Sequence, residues 1–394
     1  MNNTAVYLNH LGVICALGSD HQDISQKLFN GFSDSLVKTT DYSEEAVYVG
    51  RVNEPLPALS DFPALERTRN NQLLRAAFNS IQQAFLQSTK NIPAQRIGIV
   101  IGTSTSGIAE GEKALAQQIE TGALPDDYDY SMQEMSAPAT ALANWAGAKG
   151  PCYVISTACS SSAKALASAR RLIRAGVCDV VIAGGVDSLA ELTINGFSAL
   201  DSVSKGICKP YSASRDGINI GEGAALFLVS DKASKVSLAG IGECSDAHHI
   251  SAPEPDGKGA EQAMSLAMKN AHINPDAIGY INMHGTATVQ NDRMEGRAIH
   301  RLFSDKVPCS STKAYTGHTL GAAGAIEAAF CWLLLANEEN NKMPIHLSDH
   351  AMDPELDPIA LVTENSHDQA IQYAMSNSFA FGGNNISLIL ERQK

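Results

Sequence analysis

Apolar and polar positions along this chain follow two periods. Short runs of Val, Ile and Leu bounded by Gly, Pro or Ser predict strands at residues 96–102 ("RIGIVIG"), 153–156, 180–184 ("VVIAG"), 224–229 ("AALFLV"), 278–283 ("IGYINM"), 308–310 and 386–390. Between them, helical spacing predicts helices over 71–88, 160–175, 259–271, 292–303 and 322–336. Strands that alternate with helices of this length predict a largely parallel α/β sheet. The helix that begins at Ser160 carries alanine on nearly every face, so it is expected between layers rather than on the surface. A strand near Val229 closes a first half, and "KVSLAGIGE" opens another at Lys235; the halves are 1–234 and 235–394.

Composition narrows this picture. A length of 394 residues exceeds what one core usually organises, consistent with two similar halves. With 44% hydrophobic and 18% charged residues the chain is globular in type. The start, "MNNTAVYLNH", has no basic segment or long apolar run, and "AIEAAFCWLLLA" is too short and interrupted for a membrane span. A cytoplasmic protein without membrane insertion is expected. Eight scattered cysteines with no CxxC pair argue against both a disulfide framework and zinc. A net charge of −13 argues against nucleic acid and makes an acidic partner dependent on a local basic patch.

The chemistry starts at "ISTACSSSAKALASARRLI", where a lone thiol, Cys159, stands at a strand-to-helix junction. A helix N-terminus favours thiolate, so Cys159 is a candidate nucleophile; a small buried core residue is the plain alternative. Three further stretches place polar groups at strand ends. They are "NMHGTATVQNDRMEGRAI" with His284, "SSTKAYTGHTLGAAGAIEAA" with Lys313 and His318, and "SNSFAFGGNNISLIL", a Gly-rich turn before a final strand. Open α/β sheets build sites at such ends. Two histidines can donate to a developing enolate, and backbone N–H groups can hold an oxyanion. His346 and His350, four apart in a loop, lack a third ligand, and His248-His249 also reads as loop, so no metal site is assigned to them.

"TACSSS", "HGTAT", "STKAYTGHTLGAAGAIE" and "NSFAFGGNN", in this order, resemble the motifs of the decarboxylating, elongating β-ketoacyl-acyl-carrier-protein synthases. "LGVICALG", "KPYSASRDGINIGEGAA" and "SDAHHISAPEPDGKGA" extend the likeness over almost the whole chain. The resemblance implies a thiolase-like fold, two βαβαβ-type halves in a five-layered αβαβα sandwich, usually a homodimer. It implies that Cys159 holds the acyl chain as a thioester, and that His284 and His318 stabilise the enolate formed from a malonyl extender. It further implies Lys313 as an organising lysine with Glu327 as its partner, and the amides of Cys159 and Phe381 as the oxyanion hole. Phe379 and Phe381 match the gating phenylalanines, supported by Gly382, Gly383 and Asn385. Asn282, Glu327, Ser376 and Asn377 match positions where some relatives bind a monovalent cation; a buried hydrogen-bonded cluster is the alternative reading. No cofactor is implied beyond the phosphopantetheine arm of the carrier protein, the expected partner. Arg67, Arg69, Arg75 and Lys209, with Lys205 beside them, match regions that relatives use for carrier docking; a solvated helix face is the alternative.

Two departures are informative. Where the family reads Thr-Pro-x-Gly-Asp, this chain has Thr288-Val289-Gln290-Asn291-Asp292. Where the gating loop reads Gly-Phe-Gly-Gly-Thr-Asn, it has Ala380-Phe381-Gly382-Gly383-Asn384-Asn385. Alanine for the hinge glycine narrows backbone freedom. Both lean toward a specialised bacterial ketosynthase, such as those of aryl polyene pigments, rather than housekeeping elongation. Competing readings are a non-catalytic chain-length factor in a heterodimer, disfavoured because Cys159, His284, Lys313 and His318 are all present, and an acyl-cysteine hydrolase or transferase, which would need a general base activating water where the two histidines resemble decarboxylation machinery instead.

Overall fold

A computed structural model describes residues 4–32, 34–337, 342–366 and 370–393. The first half runs β1 (Tyr7–Ile14), α1 (His21–Phe29), a small hairpin of β2 (Val37–Thr39) and β3 (Val47–Val49), α2 (Arg69–Thr89), β4 (Ile97–Gly102), α3 (Ile108–Thr121) and α4 (Ala137–Ala146). It continues through β5 (Cys152–Ile155), α5 (Ser161–Arg174), β6 (Val180–Asp187), α6 (Glu191–Ser198) and β7 (Gly223–Ser230). The second half comprises β8 (Val236–Ser245), α7 (Lys258–Ala271), β9 (Ile278–Asn282), α8 (Val289–Phe303), β10 (Pro308–Ser310), α9 (Lys313–Thr316), α10 (Ala323–Ala336), β11 (Ala360–Leu361), β12 (Tyr373–Ala380) and β13 (Asn384–Arg392).

Each half contributes a run of strands, β5-β4-β6-β7-β1 and β8-β13-β12-β9-β10-β11, joined at one edge where Tyr7 pairs with Ser237. Period-2 alternation explains the layering. Along β7, Ala225, Phe227 and Val229 face one buried cluster and Ala224, Leu226 and Leu228 face another. The first cluster is the centre of the molecule. There α5 (Leu166, Ala169, Ile173) and α10 (Ala325, Phe330, Leu334) lie between the two strand runs. Helices α2 and α4 cover the outer face of the first run, and α7 the outer face of the second, with α8 against α7. The result is a five-layered αβαβα sandwich of the thiolase-like type, whose middle layer draws one helix from each half.

Small residues permit that middle layer. A Cβ on Gly324 of α10 would stand 2.7 Å from the Ala163 Cβ of α5, so only glycine allows this approach. The Ser162 hydroxyl accepts the Ala325 N–H at 2.8 Å, tying the two helices where they meet.

The expectation of a largely parallel sheet is corrected. Pairs β4–β5, β4–β6, β9–β12, β9–β10 and β10–β11 are parallel, but β1–β7, β6–β7, β12–β13, β8–β13 and β1–β8 are antiparallel. Parallel neighbours need a crossover, whereas the three-residue turn Phe381–Gly383 can join β12 to β13 only as a hairpin. The stretch 376–380, read from sequence as part of a Gly-rich turn, is the end of strand β12.

Candidate active site

The nucleophile turn is built by its own hydroxyl residues. After β5 the chain passes Ala158 in the left-handed region (φ 51°), then Cys159, and enters α5 at Ser161. A non-glycine residue held there is strained and needs local bonds to persist. Ser160 Oγ donates to the Thr157 carbonyl at 2.8 Å, and Ser161 Oγ accepts the Thr157 N–H at 2.8 Å while donating to the Ala158 carbonyl at 2.5 Å. The serines of "TACSSS" therefore shape the turn rather than act as nucleophiles.

His284 follows β9, Lys313 and His318 follow β10, and Phe381 follows β12; every one lies past the carboxyl end of a strand. His318 Nε2 lies 2.9 Å from Cys159 Sγ, and the two imidazoles meet edge to face with centroids 5.5 Å apart. The sulfur and one ring nitrogen of each histidine all fall within 4.8 Å of one another. Phe379 stands 6.3 Å from His284, and Phe381 packs 5.7 Å from Phe197. A cavity of about 430 Å³ opens onto the three groups, walled by Phe197, Ile218, Phe379 and Phe381 with Thr286 and Thr288 among its polar residues.

Burial sets the protonation states. Both imidazoles are held well below the usual histidine range, first by desolvation and then by the Lys313 charge, so they are neutral at physiological pH. The Cys159 thiol is pushed up to about 11 by burial, with Lys313 and the backbone N–H groups of Cys159 and Phe381 opposing. Burial thus works against the thiolate favoured at a helix end, with desolvation the largest influence on the thiol. Nδ1 of each histidine is buried without a hydrogen-bond partner among the described residues. No neighbour locks either tautomer, so Nε2 can serve as acceptor or as donor.

Lys313, 1% exposed, donates to the His284 carbonyl and to Glu327 Oε1. Burial raises Glu327 to about 7, opposed by that lysine. A support absent from the sequence reading is Glu295 on α8, whose carboxylate accepts the N–H of His284 at 2.8 Å and of Gly285 at 2.7 Å. The phrase "DRMEGRAI" contains it, but a glutamate in a helix signals nothing until its burial is known. His346 is likewise interior. Its Nδ1 accepts the Ser311 N–H at 3.2 Å and its Nε2 donates to the Pro210 carbonyl at 3.0 Å, bracing the strand before Lys313.

The gate is tied down on both sides. Gly382 and Gly383 have φ of 78° and 71°, which glycine alone adopts easily. Gly382 donates to the Ile250 carbonyl at 2.7 Å, Asp246 N–H donates to the Gly383 carbonyl at 2.9 Å, and Asn385 donates to Asp246 at 2.6 Å. Ala380 sits in ordinary extended backbone (φ −99°), so alanine is unstrained there. Asn384, the second departure, accepts from Lys164 Nζ at 2.8 Å.

Among the cation-site residues, Asn282 and Ser376 are register partners on β9 and β12. Asn282 Oδ1 and Glu327 Oε2 are buried oxygens with no hydrogen-bond partner among the described residues. The Asn377 carbonyl is already engaged by Ser387 Oγ at 2.8 Å. The donor set fits only in part.

Two of the docking candidates have contacts within the fold. Arg69 forms a bidentate pair with the buried Glu222, and Arg75 lies 5.3 to 5.6 Å from the rings of Phe62, Phe78 and Trp145, so both guanidinium groups serve packing. Arg67 stays exposed, bonded to the Ser60 and Phe62 carbonyls. Lys209 is exposed and 3.2 Å from Asp349, and Lys205 is exposed in a groove that shares Asp201 and Asp216 with the active-site cavity. Among the described residues no helix is long and apolar enough to cross a membrane.

Comparison with known proteins agrees with this geometry. Residues 19–234 match the beta-ketoacyl synthase N-terminal domain and residues 236–344 its C-terminal domain. The chain is 34% identical over 337 residues to the 3-oxoacyl-[acyl-carrier-protein] synthase 2 of Staphylococcus aureus (strain COL), covering 80% of each. It is similar, at 40% identity and a TM-score of 0.94 over 99% of this chain and 98% of the other, to a structure described as the ketosynthase (ApeO) in complex with its chain length factor (ApeC) from Xenorhabdus doucetiae. A further structure, 25% identical with a TM-score of 0.85 over 99% of this chain and 100% of the other, is described as AntDE:AntF (apo), a type II PKS acyl-carrier protein in complex with its ketosynthase bound to the hexaketide. Motif order, site geometry and these likenesses converge: the chain belongs to the beta-ketoacyl synthase family and is a beta-ketoacyl-ACP synthase, an acyltransferase that forms carbon–carbon bonds.

Proposed function

We propose that Cys159 carries the growing acyl chain and that His284 and His318 drive loss of carbon dioxide from a malonyl unit delivered on an acyl carrier protein. The observation that carries this reading is the convergence of one thiol and two neutral imidazoles within 4.8 Å in a buried cavity. In the first step Cys159 Sγ attacks the carrier thioester, its proton passes to His318 Nε2, and the N–H groups of Cys159 and Phe381 hold the oxyanion. The carrier thiol leaves with a proton. In the second step the malonyl thioester oxygen lies between the Nε2–H groups of both histidines, which stabilise the enolate as the carboxylate departs as carbon dioxide. The enolate carbon attacks the acyl thioester, the same two amides hold the new oxyanion, and the Cys159 thiolate is expelled and takes up one proton from solvent, which balances the carboxylate charge lost as carbon dioxide. Lys313, anchored by Glu327, keeps both imidazoles uncharged. The pantetheine arm belongs to the carrier, so the chemistry requires no resident cofactor.

The working assembly in this proposal has two chains. Strand β5 ends its sheet, pairing with β4 alone among the described residues, and its Tyr153, Val154 and Ile155 are half-exposed. Near it in sequence, Leu115, Ile119, Leu124, Tyr130 and Leu192 are exposed apolar residues. A second chain satisfies these surfaces, and the likeness to a ketosynthase solved with its chain length factor favours a related, non-identical partner. That likeness, with the departures at 288–292 and 380–384, supports a specialised polyene or polyketide pathway.

Intact-mass analysis with acyl-carrier thioesters tests the chemistry, alone and with a co-expressed partner. Acylation is expected for wild type and His284→Ala but not Cys159→Ala, and carbon dioxide release only for chains that retain His284. Acylation of Cys159→Ala, or undiminished carbon dioxide release by His284→Ala, would sink the assignment.

A further inference from the structure

Asn291 occupies the first turn of α8, is 7% exposed, and lines the same cavity as Cys159, His284 and His318. Its amide is oriented from behind. Nδ2 donates to Asp292 Oδ1 at 3.2 Å and to Glu295 Oε2 at 3.4 Å. Those two oxygens also accept backbone N–H groups, from Ala287 at 3.2 Å and Gly285 at 2.7 Å, so they act as acceptors and the amide cannot be reversed. This leaves Asn291 Oδ1 without a hydrogen-bond partner among the described residues, as an atom that keeps some accessibility on a residue that borders the cavity. The hydroxyls of Thr286 and Thr288, paired at 2.9 Å, border the same space. The family pattern Thr-Pro-x-Gly-Asp has glycine at this position, where this chain carries the amide.

We propose that Asn291 Oδ1 accepts a hydrogen bond from an amide N–H of the thioester arm and selects substrates that carry one. The inference rests on the reading that the extender arrives on a pantetheine arm, whose amides supply the donor. An acceptor fixed in orientation beside the cavity loses its water to any arm that threads the cavity, and only an N–H restores the bond. An arm with oxygen in place of that nitrogen would set two acceptors face to face.

The test pairs an enzyme variant with a substrate variant. Carbon dioxide release is followed for malonyl-pantetheine and for its oxa-analogue, in which each amide N–H is replaced by ester oxygen, with wild type, Asn291→Ala and Asn291→Gly. Wild type is expected to prefer the amide substrate by about 3- to 10-fold in kcat/KM, mainly through KM, and both variants to lose that preference while retaining kcat. Equal losses on both substrates, or a fall in kcat alone, would show that Asn291 acts only by positioning Glu295 behind His284, and would overturn the proposal. No turnover of either substrate by wild type would instead overturn the malonyl reading on which it rests.

Discussion

Burial raises the Cys159 thiol, which sets how its reactivity responds to pH. Burial pushes it up to about 11, so at pH 7 the thiolate is a minor species and the proton leaves only as bond formation begins. A raised thiol means more thiolate as pH rises, with no levelling near neutrality. Alkylation of Cys159 by iodoacetamide, with Cys159→Ala as blank, should therefore accelerate about tenfold per unit between pH 7 and 10. A plateau below pH 8 would instead reveal a thiolate–imidazolium pair and reverse the reading of His318 as proton acceptor. At this scale the motifs located the reacting groups, but not their protonation. Glu295 escaped notice because a helical glutamate is ordinarily solvated, and only burial against the His284 and Gly285 amides distinguishes it.

Among elements, the hairpin between β12 and β13 shows what a departure from pattern is for. Asn384 puts an acceptor within 2.8 Å of Lys164, which lies on the helix that begins at the nucleophile, so the gate is fastened to the wall it must clear. Lys164 is half-buried and its pKa is lowered by desolvation, which makes the bond both short of competing water and costly to abandon. Lys164→Met and Asn384→Thr should each speed hydrogen exchange at residues 380–384 and raise KM for carrier-bound malonate by about 3- to 10-fold, with little change in acyl loading. Unchanged exchange in both variants would remove the latch. The strands and helices forecast from periodicity lie within a few residues of those observed, because a period of 2 or 3.6 is a local property. Strands β1 and β12 were not forecast: one carries His10 and Asn9 among apolar neighbours, the other alternates Ser and Asn through Tyr373–Ala380 and is buried by its surroundings rather than by its own hydropathy.

The whole molecule carries a charge problem that its partner must solve. With a net charge of −13 and Asp41, Glu44, Glu45, Glu191, Asp201 and Asp216 lining a groove beside the cavity mouth, an acidic carrier needs the few cations placed outward. Arg69 and Arg75 are spent on packing, which leaves Arg67, Lys205 and Lys209. Charge reversal of these three should raise the apparent KM for carrier-bound malonate by about 3- to 10-fold at low salt and flatten its salt dependence, while malonyl-pantetheine turnover stays unchanged. An unaltered salt response would move docking to another face.

By itself the sequence determined the alternation of strands and helices, the order of the four motifs and the candidates for the reacting residues, since each is written within a short stretch of chain. Only the tertiary structure decided that a helix from each half shares the middle layer. It also decided that Cys159 and His318, 159 positions apart, meet at 2.9 Å, and that the thiol stays protonated. The same holds for Arg69, a candidate docking cation in the sequence and the partner of buried Glu222 in the fold. Burial and long-range contact set desolvation, and desolvation sets charge; neither is a property of any local stretch.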